Sequence, residues 1–115
     1  MSNCSVNLKI LDNKEMQHLN NRYRDKDLPT NVLSFANEDI SKSITGDLGD
    51  IAISYEYVEE ESNEQGKKFD DHLIHMLIHG VYHILGFDHE NDEMAELMEN
   101  KEIQLLKKIN INNPY

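Results

Sequence analysis

The chain has 115 residues and a mass of 13.4 kDa, enough for one domain, which excludes a two-domain enzyme with a separate cofactor domain. Its 22 acidic residues against 11 basic ones give a formal net charge of −11, which excludes capture of nucleic acid by whole-surface charge attraction. The charge is uneven: residues 1–37 carry +1, residues 38–106 carry −14 and the last nine carry +2, so anion binding is expected in the first third or at a bound metal.

In chain order, Met1 to Ser5 has neither a basic region nor a long apolar one, so no secretory signal is read. The single cysteine, Cys4, has no intramolecular disulfide partner and is expected to be an inert surface thiol, which with the missing signal points to the cytosol. Val6 to Leu11 alternates apolar and polar residues and predicts a strand. Asp12 and Glu15 have capping-box spacing. Met16, Leu19 and Tyr23 then predict an amphipathic helix over 13–24, with Arg22 or Arg24 on its polar face. Residues 25–31 read as a loop, Val32 to Phe35 as a strand, the stretch around Ser41 to Gly46 as a turn, and Asp50 to Tyr55 as a third strand. Residues 56–65 predict a short helix closed by Gly66, and Phe69 to Leu85 a long, mostly apolar helix ended by Gly86. Asp92 to Ile109 predicts a final helix with Met94, Leu97, Met98, Leu105, Leu106 and Ile109 on one stripe. The excess acid at 56–64 and 88–102 reads as solvated helix face. No apolar run approaches the ~20 residues of a membrane span. The fold class is α+β: one domain over 1–115, a small mixed sheet packed on helices, with the long helix buried against it.

Five of the six histidines fall in one short stretch: His72, His75, His79, His83 and His89. His79 and His83 are four apart on a helix, so their Cβ atoms lie about 5–6 Å apart on one face, a spacing that lets two imidazoles share one tetrahedral metal at ~2.0–2.1 Å. Gly86 permits a sharp turn that brings His89 back to the same ion. Three imidazoles leave a fourth position open, the pattern of catalytic zinc. His75, one turn before His79, is read as structural, with support of a ligand as the alternative. His72 is read as solvent-exposed. Asp88 either orients a ligand imidazole or caps the turn.

The spacing His79-x3-His83-x2-Gly86-x2-His89 matches metzincin zinc proteases, with one departure. Those enzymes carry a glutamate general base directly after the first histidine, and here that position is Gly80. A three-histidine zinc ion keeps its full 2+ charge, lowers the pKa of bound water toward ~7 and polarises anionic oxygens. Without a strong protein base, a phosphodiester suits the site, and an arginine completes a phosphate clamp. Arg22 and Arg24 are the only arginines, and the physics alone does not choose between them.

His79-Gly80-x-x-His83-x-x-Gly86-Phe87-Asp88-His89 resembles the signature of the YbeY endoribonuclease family. Asn21-Arg22-Tyr23-Arg24 with Pro29-Thr30-Asn31-Val32-Leu33-Ser34-Phe35, then Leu48 to Ile53, then Met98-Glu99-x-x-Glu102 resemble further family segments, together spanning residues 5–109. The resemblance implies a hydrolase with one zinc ion on His79, His83 and His89. It implies single-strand-specific RNA cleavage, 3′-end maturation of small-subunit (16S) ribosomal RNA, ribosome quality control and a cytoplasmic location. It assigns Arg24, after the aromatic Tyr23, to the phosphate. Ribosomal RNA and the small subunit are the implied partners, with no membrane and no DNA. Asn31 stands where many members have aspartate, and members usually carry about 30 more residues, a strand and a helix, ahead of the stretch that begins near Val6. The alternatives are a metzincin-like metallopeptidase and a non-catalytic ribosome-assembly factor with a structural metal.

Overall fold

The computed structural model describes residues 4–37, 46–88 and 90–115. Its elements are β1 (Ser5–Leu11), α1 (Asn13–Arg24), β2 (Val32–Ala36), β3 (Asp47–Ser54), α2 (Tyr55–Gln65), α3 (Phe69–Ile84) and α4 (Asp92–Lys108). The strands form one mixed sheet in the order β1-β3-β2, with β1 parallel and β2 antiparallel to the central β3. The α+β class is the expected one. Among the described residues, β1 has no strand on its outer side.

Alternation along β3 decides which helix covers which face. Ile51 and Ile53 pack with Val58 of α2 and with Leu73, Met76, Leu77, Val81 and Ile84 of α3. Ala52, pointing the other way, packs with Leu11 and Leu33 and with Met16 and Leu19 of α1. The sheet is thus a middle layer, with α1 on one face and α2 and α3 on the other.

Local chemistry sets the ends of these elements. Asp12 and Glu15 form the expected capping box: Glu15 N–H donates to Asp12 Oδ1 at 2.8 Å, and Glu15 Oε1 accepts from the Asp12 N–H at 3.4 Å. α1 stops at Arg24 because Asp25 adopts a left-handed backbone, φ 55°. β3 begins three residues earlier than the apolar run suggests and ends at Ser54. Ser54 Oγ accepts from Tyr57 N–H at 3.3 Å, capping α2 and drawing Tyr55, expected in the strand, into the helix. Gly86, at φ 100°, follows the end of α3 as its spacing predicts.

Two expectations are corrected. In α4 the buried row is Met98, Glu102 and Leu106, whereas Leu97, Leu105 and Ile109 are exposed at 52%, 37% and 48%. The helix therefore faces the protein along an i, i+4, i+8 row with a carboxylate at its centre. His72 is buried at 3% exposure, because its Nε2 meets Glu61 Oε1 of α2 at 2.9 Å. Of the turn read around 41–46, residues 41–45 lie outside the described residues.

Candidate metal and phosphate site

Helix α3 rests directly on the sheet at Gly80. A Cβ there would lie 2.9 Å from Ser34 Oγ and 3.2 Å from Ile51 Cγ2. The missing side chain is thus a packing requirement, which sets the height of the following turn over β2. That turn carries His83, and together with His79 it faces an open cleft of about 600 Å³ beside β2. Arg24, Asn31, Ser34 and Asp88 also line this cleft.

Arg24 reaches the cleft because the loop behind it is tied down. Buried Asn20 donates from Nδ2 to the Leu28 carbonyl at 2.9 Å, and Gln17 Nε2 donates to Asp27 Oδ1 at 3.1 Å. Arg22 has a different place: its guanidinium stands over the Tyr23 ring, 5.4 Å from the centroid. The Tyr23 ring in turn meets Phe35 edge-on at 5.3 Å. Of the two arginines the sequence leaves open, Arg24 is the one that lines the cleft with the histidines.

The two imidazoles converge. His79 Nε2 and His83 Nε2 are 3.0 Å apart. Two nitrogens on one tetrahedral zinc would stand about 3.3 Å apart, given bonds of ~2.0–2.1 Å. Proton accounting supports the same fit. His79 Nδ1 lies 2.9 Å from Glu102 Oε2, and an ionised carboxylate only accepts. His79 therefore carries its proton on Nδ1 and turns the Nε2 lone pair toward His83, as a metal ligand must. The donor set fits a borderline divalent cation such as zinc. His89, the third expected ligand, lies outside the described residues.

Glu102 is fully buried and holds a cluster of donors. Its Oε1 accepts from His75 Nε2 at 2.7 Å and from the Tyr115 hydroxyl at 2.5 Å, while Oε2 takes His79. Burial pushes its pKa up. The hydrogen bonds from His75, His79 and Tyr115 outweigh that and bring it down to about 2 from an ordinary 4.5. The Tyr115 hydroxyl is driven well above the usual phenol range by burial and by this carboxylate. His75 thus acts as a structural partner of Glu102. A further carboxylate, Glu61, joins His72 to Asn31, whose Nδ2 it accepts at 3.1 Å.

The sequence reading missed Glu102, Tyr115 and Asn20 as parts of this arrangement. Glu102 had one local signal, an acidic residue four positions from both Met98 and Leu106 on an apolar row.

Fold and site together define a class: a small α+β domain with a helix-borne histidine pair and a guanidinium around one cleft, suited to holding a cation beside an anionic group. A family model described as Endoribonuclease YbeY matches residues 1–110. The chain is 47% identical over 119 aligned residues to the Endoribonuclease YbeY of Francisella tularensis subsp. novicida (strain U112), a match covering 100% of this chain and 74% of the relative. The corresponding protein of Francisella tularensis subsp. tularensis (strain SCHU S4 / Schu 4) gives the same 47%, covering 100% of this chain and 71% of the relative. The solution structure of TM1509 from Thermotoga maritima aligns with a TM-score of 0.61 at 28% identity, covering 96% of this chain and 73% of that one. The chain belongs to the YbeY endoribonuclease family.

Proposed function

We propose that this protein is a zinc-dependent endoribonuclease that cuts single-stranded RNA, working in the cytoplasm on the small ribosomal subunit, in 3′-end maturation of its RNA and in ribosome quality control. Family membership supports the nuclease reading. The observation that carries the chemistry is the single cleft that collects His79, His83 and Arg24. His79 and His83, with His89, would hold one zinc ion. Such an ion supplies Lewis acidity, neutralising phosphate oxygen and making water acidic enough to attack at neutral pH.

The chain's own groups do the remaining work. The Arg24 guanidinium donates to the non-bridging oxygens of the scissile phosphate, where negative charge builds in the transition state. Glu102 keeps the His79 proton on Nδ1 and so fixes which nitrogen faces the cleft. A protein carboxylate at position 80, as the metallopeptidase alternative requires, has no room between Ser34 and Ile51. The membrane plays no part in this reading, and among the described residues no helix is long and apolar enough to cross one.

The test is metal analysis of the purified protein alongside cleavage of a single-stranded fragment of 16S ribosomal RNA, with and without chelator. Zinc near one equivalent and chelator-sensitive cleavage are expected. Binding of that RNA without cleavage, in zinc-loaded protein, would replace this reading with that of an assembly factor with a structural metal.

A further inference from the structure

We propose that Tyr115 is a positioning residue for His79, acting through Glu102, and that Lys67 clamps the segment that brings it there. This rests on the metal-site reading given above and extends it to residues 110–115, which carry no recognisable motif.

The segment doubles back after α4. Asn110 adopts a left-handed backbone, φ 65°, and Ile111 N–H returns to the Leu106 carbonyl at 2.9 Å. Ile111 is then buried, which pins the reversal to the body of the protein. Four residues on, Tyr115 is 58% exposed as a residue, yet its hydroxyl turns inward to Glu102. A tyrosine on a largely exposed terminal segment that spends its hydroxyl on a buried carboxylate is placed for that hydrogen bond. The ring edge also meets His75 at 5.3 Å and 88°.

A second contact holds the same segment. Gly66, left-handed at φ 66°, ends α2, and Lys67 leaves the turn with its N–H on the Ser62 carbonyl at 2.8 Å. Its Nζ donates to the Pro114 carbonyl at 2.7 Å. The residue next to Tyr115 is thereby fixed from the turn that follows α2.

The consequence follows from the division of the carboxylate. Oε1 is shared by His75 and Tyr115, and Oε2 serves His79. Two donors on Oε1 set the plane of the carboxyl group, and that plane aims Oε2 at His79 Nδ1. With the hydroxyl removed, Oε1 keeps His75 alone, the carboxylate gains rotational freedom, and the orientation of the His79 ring loosens with it.

Tyr115→Phe keeps the ring and removes only the hydroxyl. Zinc affinity is measured by competition with a chromogenic chelator, the His79 tautomer by imidazole ¹⁵N shifts in metal-free protein, and folding by thermal melting. We expect Tyr115→Phe to bind zinc about 10-fold more weakly, the low end of the effect of outer partners of metal ligands, and to lose part of the Nδ1–H tautomer signal of His79. Lys67→Met should shift both in the same direction by less. Unchanged zinc affinity and tautomer in Tyr115→Phe, with or without a lower melting temperature, overturn the proposal. Wild-type affinity in Lys67→Met overturns the clamp. Wild-type protein that binds no zinc overturns the metal-site reading as well, which separates the two failures.

Discussion

His79 of α3 and Glu102 of α4 meet across the helix pair, Nδ1 to Oε2, at 2.9 Å. The bond costs little orientational freedom, since Glu102 is already held by His75 and Tyr115 and excluded from water. It places a proton on His79 Nδ1 and leaves Nε2 as the nitrogen that faces His83.

The histidine pair makes the first prediction. His83→Ala removes one of two converging Nε2 donors and should lose both bound zinc and RNA cleavage, while melting near the wild-type temperature in metal-free buffer. Metal analysis and a gel-based cleavage assay read the two effects together. Full turnover by a metal-free His83→Ala protein would refute the metal mechanism.

Arg24 separates binding of metal from handling of phosphate. Because it stands on α1 and is exposed, Arg24→Ala should keep its zinc and its fold. Loss of one charge-assisted donor to a transition-state oxyanion costs about 2.7–4 kcal/mol, so kcat should fall about 10²- to 10³-fold. Arg22→Ala, with its guanidinium over Tyr23, should keep most of the activity. Equal losses in the two variants would remove Arg24 from its assigned place.

Glu102 links stability to pH. Its folded-state pKa, about 2, lies below the ordinary 4.5, so its contribution is fully present above about pH 5 and fades as pH falls toward 2. Glu102→Ala should cost about 3–5 kcal/mol at neutral pH, because it strips buried donors of their charged acceptor. The gap in stability between wild type and Glu102→Gln, followed by urea unfolding of the metal-free proteins, should narrow steadily from pH 5 to pH 3. A gap that widens on acidification would contradict the pairing.

At Gly80 the prediction is steric. Gly80→Ala places a methyl 2.9 Å from Ser34 Oγ, and overpacking of this kind costs about 1–3 kcal/mol. Either α3 or the cleft-lining Ser34 side chain must shift, so the variant should lose cleavage more than an equally destabilising change far from the cleft. Co-variation of melting temperature and rate across a small set of such variants checks this.

Local rules carried much of the reading. The Asp12–Glu15 box, the αL glycines at 66 and 86, and the four-residue spacing of His79 and His83 are written within a turn or two of chain, and each element they bound is present. What sequence could not show were partners far apart. His72 reads as solvated until Glu61 is brought to it from α2. Glu102 reads as one more charge on an acidic helix until His75, His79 and Tyr115 converge on it. Leu97 and Leu105 read as core by hydropathy, yet the row that faces the protein is set by what α3 offers, namely imidazoles. Spacing and charge alone left Arg22 and Arg24 open; the family resemblance chose Arg24, and Arg24 lines the cleft with the histidines.

The sheet separates α1 from α3, one on each face, and the cleft opens where both reach β2. The guanidinium comes early in the chain and the imidazoles late, so no fragment short of α3 contains both halves of the cleft. Synthesis up to β3 yields an arginine with nothing opposite it. Detachment of either helical layer would separate the two halves of the cleft. Under the proposed function, competence to cut would therefore await the docking of both helical layers.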